Sequence, residues 1–171
     1  MEAVYKWMES PVGKLLLVAD EDGLLELAFA EGRTPPVVNP AWSEGGAALR
    51  EPLRQLRAFF AGELRDFDLP LKPRGTTFQQ RVWELLREIP FGETISYGEL
   101  ARRVGNPAAS RAVGLANGSN PIAIVVPCHR VIGSNGKLTG YGGGLENKRW
   151  LLDFERGQLF GQHLMHELNG H

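Results

Sequence analysis

Ile122-Ala123-Ile124-Val125-Val126-Pro127-Cys128-His129-Arg130-Val131 is the stretch around which the chain is organised. Five apolar, largely β-branched residues read as a short buried strand, and Pro127, which has no N–H to give a ladder, ends it. Cys128, the only cysteine in the protein, follows at once. A thiol at a strand end, with an imidazole next in sequence, can be held rigidly at the lip of a core, where a nucleophile is useful. The alternative is a small buried hydrophobe, the usual state of a free cysteine.

With 171 residues, 43% hydrophobic and 23% charged, the chain is long enough for one domain or two small ones with a real core. A single cysteine excludes an internal disulfide and a Cys-based zinc cluster, so no metal is required and a reducing compartment fits. Residues 1–14 lack the apolar centre of a signal peptide, and no apolar run approaches the roughly 18 residues of a membrane span. The expectation is a cytoplasmic protein with no membrane partner. Net charge is −1, which argues against a strongly basic nucleic-acid binder, yet the halves differ. Residues 1–73 carry 8 basic and 12 acidic side chains, residues 74–157 carry 11 and 7, and the basic half holds Cys128. That asymmetry suits a polyanion at one face, although a solvated surface has the same look.

Residues 3–10, 13–20 and 23–29 read as three strands of an antiparallel meander, separated by Ser-Pro-Val-Gly and Glu-Asp-Gly turns. A Pro-rich loop at 34–40 breaks the meander. Leu49, Leu53, Leu56 and Phe60 then recur at helical spacing until Gly62, and residues 67–71 can return as a strand. Lys72-Pro73-Arg74-Gly75 marks a boundary, where charge changes sign. The expected domains are residues 1–73, residues 74–160 and a tail at 161–171.

Beyond that boundary the pattern is helical. Thr77-Phe78-Gln79-Gln80 fits a capping box, with Phe78, Val82, Leu85 and Ile89 on one face until Pro90. Ser96-Tyr97-Gly98-Glu99 fits a second and opens a helix to about Val104. Gly105-Asn106-Pro107 then supplies a turn, an N-cap and a first-position proline for a helix over 107–117. Two short helices across a three-residue turn are the pattern of a helix-turn-helix, and equally of a plain αα-corner. The second helix carries only Arg111 among Ala108, Ala109, Ser110, Ala112 and Gly114. Small residues let a helix press against the minor groove with little sequence preference, and they also simply make a good helix.

Leu138-Thr139-Gly140-Tyr141-Gly142-Gly143-Gly144 is a glycine-rich loop that matches no phosphate-loop fingerprint. Residues 145–156 read as a helix capped by Gly157, which puts Glu155 near its end, where a carboxylate needs a partner. His166-Glu167-Leu168-Asn169-Gly170-His171 looks like a zinc-protease motif, but its second His falls at i+5 and off the helix face, so the tail reads as surface.

Pro127-Cys128-His129-Arg130-Val131 resembles the signature of the O6-alkylguanine-DNA alkyltransferases. The resemblance runs over 75–157, through Phe-Gln-Gln-Arg-Val-Trp, Ile-Pro-Phe-Gly-Glu-Thr, Ser-Tyr-Gly-Glu-Leu-Ala, Arg-Ala-Val-Gly, Asn-Pro-Ile and Tyr-Gly-Gly-Gly. Ser10-Pro11-Val12-Gly13 and the Phe-Phe-Ala-Gly-Glu-Leu segment at Phe59 are similar to the amino-terminal domain of bacterial members. The resemblance implies an α/β (α+β) protein of two small domains. An RNase-H-like antiparallel sheet with a helix would form the first, and a helical domain with a helix-turn-helix the second.

It also implies a site. Cys128 would accept the alkyl group. His129 would take its proton through a water, because neighbours leaving a strand point apart, and Glu155 would orient the imidazole. Tyr97 would donate to the guanine ring nitrogen beside the leaving oxygen and crowd the DNA phosphate. Asn120 would brace the turn before the cysteine strand, while Val131, Tyr141 and the Gly142 amide would line the guanine pocket. Arg111 would fill the gap left in the duplex, on a helix whose Ala109, Ser110 and Gly114 lie against DNA. Gly142, Ala123 and Leu115 depart from the animal members' serine, proline and small residue, which bears on tolerance for bulky alkyl groups.

The implied substrate is double-stranded DNA carrying O6-alkylguanine, with O4-alkylthymine as a second, and the implied protein is a monomer needing no cofactor. Cooperative binding along DNA stays open. A thioether on Cys128 has no electrophilic carbonyl for water to attack, so the protein would be consumed in one turnover. A cysteine hydrolase would use the same side chains with repeated turnover, and a binding-only sensor would hold the lesion unchanged.

Overall fold

A computed structural model describes residues 2–169, with side chains through Leu159. Strands β1 (Val4–Met8), β2 (Leu15–Asp20) and β3 (Gly23–Phe29) form the expected antiparallel meander. A two-residue strand β4 (Ser43–Glu44), not foreseen, adds parallel to β1 and completes the order β3-β2-β1-β4. Central β2 is buried on both faces. Leu15, Leu17 and Ala19 face the main core, while Leu16 and Val18 pack with Leu25 beneath Val38 and Trp42 of the Pro-rich loop region. That loop covers the sheet's second face.

Helix α1 (Arg50–Phe60) buries Leu53, Leu56 and Phe59. The stripe turns through Phe59 instead of Phe60, and the Phe59 ring contacts Phe60, Phe67, Phe91 and Phe154. Phe91 and Phe154 belong to the second half of the chain, so one hydrophobic cluster joins both halves. Residues 67–71 form no strand. Only Leu71 bridges to Leu24, through Leu24 N to Pro70 O at 2.9 Å and Lys72 N to Leu24 O at 2.8 Å, and Pro70, with no amide to donate, cannot extend the ladder.

Helix α2 (Thr77–Leu86) starts one residue earlier than the sequence pattern placed it. Thr76 is the cap, accepting from the Gln79 amide while the Gln79 side chain accepts from the Thr76 amide. Phe78, in the first turn, is 38% exposed, while Trp83 joins Val82, Leu85 and Ile89 in the core, its indole N–H donating to the Ala116 carbonyl. After β5 (Ile95–Ser96), Ser96 caps α3 (Tyr97–Val104) by accepting from the Glu99 amide. The reciprocal half of that box is not made, because Glu99 pairs with Arg102 and Arg103. Gly105 ends α3 at φ +97°, Asn106 caps a 3₁₀ turn at Pro107–Ala109, and α4 (Ser110–Gly118) follows.

The apolar run before Cys128 is not a strand. Ile122 alone bridges to Leu27, and the chain then folds into tight turns, with Val125 N donating to Ala123 O and Val126 N to Ile122 O. Ile124 sits at φ +72°, a strained state for a β-branched residue that the surrounding packing imposes. A fully buried run has the same composition whether its backbone bonds go to a ladder or to itself, so apolarity could not distinguish the two. Cys128–Arg130 is a 3₁₀ turn, followed by β6 (Val131–Ile132), which pairs parallel with β5.

Helix α5 spans Leu145–Asn169, so Gly157 does not cap it and Glu155 is an interior residue. A glycine costs an exposed helix only about 1 kcal/mol, too little to end one. The reading of His166–His171 lies outside the described side chains. Among the described residues no helix is long and apolar enough to cross a membrane.

Candidate active site

Three segments converge on Cys128. Strand β3 gives the Leu27 amide to the Pro121 carbonyl at 2.9 Å and accepts the Ala123 amide at 3.0 Å, which fixes the start of the cysteine segment on the sheet. Asn120 clamps the turn: its Nδ2 donates to Val126 O at 2.8 Å and its Oδ1 accepts the Ile122 amide at 3.0 Å. Asn117 on α4 donates to the Cys128 carbonyl at 3.3 Å. The family resemblance implies a bracing part for Asn120; Asn117 was marked by no sequence signal.

Cys128 is 6% exposed and opens onto a cleft of about 820 Å³. Tyr97, Gly114, Leu115, Asn120, Tyr141 and Gly142 line it with Cys128. The opposite wall comes from the first half of the chain, through Glu26 to Phe29 and Gly32 to Thr34. Phe29 meets Tyr141 edge-on at 5.6 Å, and the Arg33 amide donates to Gly142 O at 2.7 Å. The sheet thus holds the glycine-rich loop in place, a contact no local sequence signal announced. Val131 is fully buried and is not among the lining residues; its carbonyl accepts from Lys148.

Behind the thiol, His129 and Glu155 are both 0% exposed. His129 Nε2 lies 2.7 Å from Glu155 Oε2. Arg130 grips the same carboxylate with two donors, Nε to Oε1 at 2.9 Å and Nη2 to Oε2 at 3.0 Å, and gives Nη1 to the Ile89 carbonyl at 2.7 Å. The Gly92 amide completes the set at 3.0 Å. Burial works to raise the Glu155 pKa, but His129 and Arg130 outweigh it and hold the group at about 2. Burial lowers the His129 pKa despite Glu155, so the imidazole is neutral beside an ionised carboxylate. Its Nε2–H then faces Glu155 and Nδ1 carries the lone pair; Nδ1 is buried with no protein partner. Burial also pushes the Cys128 thiol up, opposed by Asn120, Lys148 and Tyr141. Tyr141, buried beside that thiol, is raised well above the ordinary phenol range.

Arg130 was legible only as a letter in the Cys-His-Arg string. Its role required knowing that α5 carries Glu155 under the cysteine turn. Lys148 was missed too, although Lys148, Leu151, Leu152 and Glu155 at i, i+3, i+4 and i+7 form the buried stripe of α5, and a charge on such a stripe is a signal.

At the cleft mouth, Thr139 Oγ1 donates to the Tyr97 hydroxyl at a long 3.4 Å. Gly114 faces the Tyr97 ring, where an added Cβ would lie 3.7 Å away. Arg111 is exposed on α4 and does not line the cleft; Ala109 and Ser110 are half-buried at the start of that helix. Leu115 is 69% exposed, an apolar side chain on the outer face of the second helix of the pair.

Cys128 on the lining of the cleft, the buried His129–Glu155 pair beside it in sequence and fold, and Tyr97 of α3 with Gly114 and Leu115 of α4 at the same cleft fit a protein with a cysteine nucleophile. Residues 77–157 match the family model described as 6-O-methylguanine DNA methyltransferase, DNA binding domain, and residues 3–73 match its ribonuclease-like domain. A methylated-DNA–protein-cysteine methyltransferase of Methanosarcina acetivorans is 57% identical over 151 residues, 88% of this chain and 97% of that one. One of Mycolicibacterium paratuberculosis is 53% identical over 152 residues, 89% and 92%. The crystal structure of Mycobacterium tuberculosis OGT in complex with DNA superposes with a TM-score of 0.84 at 52% identity, covering 90% of this chain and 93% of that one. The chain belongs to the methylated-DNA–protein-cysteine methyltransferase family, enzymes of DNA repair that move an alkyl group from DNA to a protein cysteine.

Proposed function

We propose that this protein transfers the alkyl group of O6-alkylguanine, and of O4-alkylthymine, in double-stranded DNA to Cys128 in a single turnover. The observation that carries the reading is Cys128 at the floor of the cleft, backed by the His129–Glu155–Arg130 cluster. A thiol held up by burial is protonated at rest, so displacement at an alkyl carbon needs a base at hand. His129 Nδ1 takes the proton through a water, and Glu155 stabilises the resulting imidazolium. The sulfur–carbon bond forms as the carbon–oxygen bond breaks, and Tyr97 gives its phenolic proton to the departing guanine. Tyr141 and the Gly142 amide hold the base. Tyr97 is left as a phenolate and His129 as an imidazolium, solvent exchange returns both to neutrality, and the thioether leaves no carbonyl for water to attack.

Helix α4 is proposed to lie along the minor groove, with Ala109, Ser110 and Gly114 allowing close approach and Arg111 entering the stack where the nucleotide has rotated out. The protein works as a monomer in the cytoplasm and needs no cofactor, its domains meeting at 73/74. Intact-protein mass after mixing with excess O6-methylguanine duplex tests this. One methyl per protein, mapping to Cys128, is the expected result. Clearance of excess lesion by substoichiometric protein would replace the reading with a hydrolase, and affinity without a mass change would replace it with a sensor.

A further inference from the structure

Lys148 is 0% exposed, and its ammonium donates to two carbonyls, Val131 O at 2.7 Å and Thr139 O at 2.9 Å. Among the described residues no carboxylate forms an ion pair with it. A buried cation with only neutral acceptors is disfavoured, and burial accordingly drops the Lys148 pKa from 10.5 to about 8. The one group that acts against that drop is the Cys128 thiol, and Lys148 in turn favours the thiolate. The two carbonyls are equally telling. Val131 follows Cys128 by three residues, and Thr139 begins the loop that carries Tyr141 and donates its hydroxyl to Tyr97.

We propose that Lys148 is a positioning residue for alkyl transfer, the buried counter-cation of the Cys128 thiolate, seated by hydrogen bonds that hold the 139–141 loop against the Val131 segment. A lysine whose own charge is penalised is a poor element of stability, and methionine would fill the same volume without the penalty. Its charge becomes useful when sulfur turns anionic on the way to the transition state, in a place where burial otherwise opposes that charge. Tyr141, His129, Glu155 and Arg130 also face this region, but the carboxylate is committed to His129 and Arg130, and Arg130 to the carboxylate. Among the described residues facing this region, Lys148 is left as the cation bonded to neutral carbonyls and to no carboxylate.

The inference rests on Cys128 being the acceptor, and the test separates the two. Iodoacetamide alkylation of Cys128 is followed by intact mass between about pH 5 and 10, which brackets thiol ionisation, in wild type, Lys148→Met and Lys148→Gln. Met keeps volume without charge or donors; Gln keeps donors without charge. Single-turnover rates on a benzylated free guanine and affinity for undamaged duplex are measured alongside. Both variants are expected to shift the thiol's pH midpoint upward and slow the free-base reaction about tenfold or more, with undamaged-DNA affinity unchanged. An unmoved midpoint in a Gln variant that melts like wild type would overturn the counter-charge role. Should Met fail to fold, Gln and Lys148→Arg decide, since Arg keeps the charge and is expected to keep the wild-type midpoint. A shifted midpoint together with a wild-type protein that takes no methyl from DNA would support the counter-charge and sink the acceptor reading instead.

Discussion

Glu155 Oε2 stands 2.7 Å from His129 Nε2, and the same carboxylate receives both donors of the Arg130 fork. One side chain therefore has two duties. It orients the base, and it balances a buried guanidinium whose remaining donor secures the Ile89 carbonyl ahead of α3. These duties make different demands on a substitution. An amide can still accept one hydrogen bond, but it cannot balance a charge.

Glu155→Gln is accordingly expected to slow transfer about 10²-fold, the low end for loss of general-base assistance, and also to destabilise the fold by about 3–5 kcal/mol, as breaking a buried ion pair does. Affinity for undamaged duplex should stay near wild type, since among the described residues the carboxylate's hydrogen bonds go to Gly92, His129 and Arg130, none of them on α4. Urea melts and single-turnover rates on the same preparation check both. A slow variant of normal stability would leave Arg130 without a structural part.

The same cluster sets the acid limit. Glu155 falls from 4.5 to about 2 on folding, a depressed carboxyl, so its contribution is fully present above 4.5 and is lost as pH falls towards 2. The group is sealed from solvent, and the shift corresponds to stability on the order of 3 kcal/mol. His129, also depressed, resists a proton that the unfolded chain accepts below about 6.5, so it acts in the same direction. Urea midpoints should decline from about pH 6.5 downward and more steeply below the unfolded carboxyl range. In Glu155→Gln the steeper part should shrink. An unchanged acid limb in that variant would assign it to other carboxylates.

Tyr97→Phe should slow transfer about tenfold on duplex and on a benzylated free guanine alike, because the phenol is proposed to assist the leaving group. Thr139→Val is the control. It removes the 3.4 Å contact without removing the phenolic proton and should cost far less. A Phe variant at full rate on the free base would confine Tyr97 to the phosphate.

Much of this was legible in the chain. The Ser96 and Asn106 caps and the Gly105 stop rest on residues within a few positions of one another, and the meander on strands that follow one another directly. What escaped was decided at long range. The cysteine segment is fixed by Leu27, almost a hundred residues earlier, and its backbone closes on itself, which apolarity could not reveal. Gly157 carried a local stop signal too weak, at about 1 kcal/mol, to end α5. Arg130 and Lys148 became meaningful only when α5 was laid beneath the Cys128 turn.

The glycine-rich loop offers a contrasting pair. A Cβ at Gly143 would lie 2.6 to 2.8 Å from the Phe29 ring, whereas a Cβ at Gly142 meets nothing within 4 Å. Gly143→Ala should cost about 1–3 kcal/mol through overpacking and slow the free-base reaction, since Tyr141 shares the displaced loop. Gly142→Ala should melt like wild type. Equal melting temperatures for the two, by calorimetry, would show that Phe29 yields and does not hold the loop.

Arg111 is the long cation on α4, exposed and outside the cleft, among Ala108, Ala109, Ser110, Ala112 and Gly114. Those small neighbours leave the helix free to approach a groove closely, so a side chain from that face can reach the base stack. Unstacking a nucleotide costs a few kcal/mol, and a planar guanidinium can stack on bases while hydrogen-bonding the orphaned partner, which offsets part of that cost. An exposed arginine on a basic domain can equally serve as a phosphate contact, and lysine separates the two. A phosphate contact survives Arg111→Lys as a point charge; a planar plug does not. Arg111→Lys and Arg111→Ala are therefore both expected to slow duplex repair about tenfold or more, in line with the stated unstacking cost, while reacting with a benzylated free guanine at the wild-type rate. Single-turnover rates on the two substrates make the measurement, and a lysine variant that repairs duplex at full rate would discard the plug in favour of the phosphate contact.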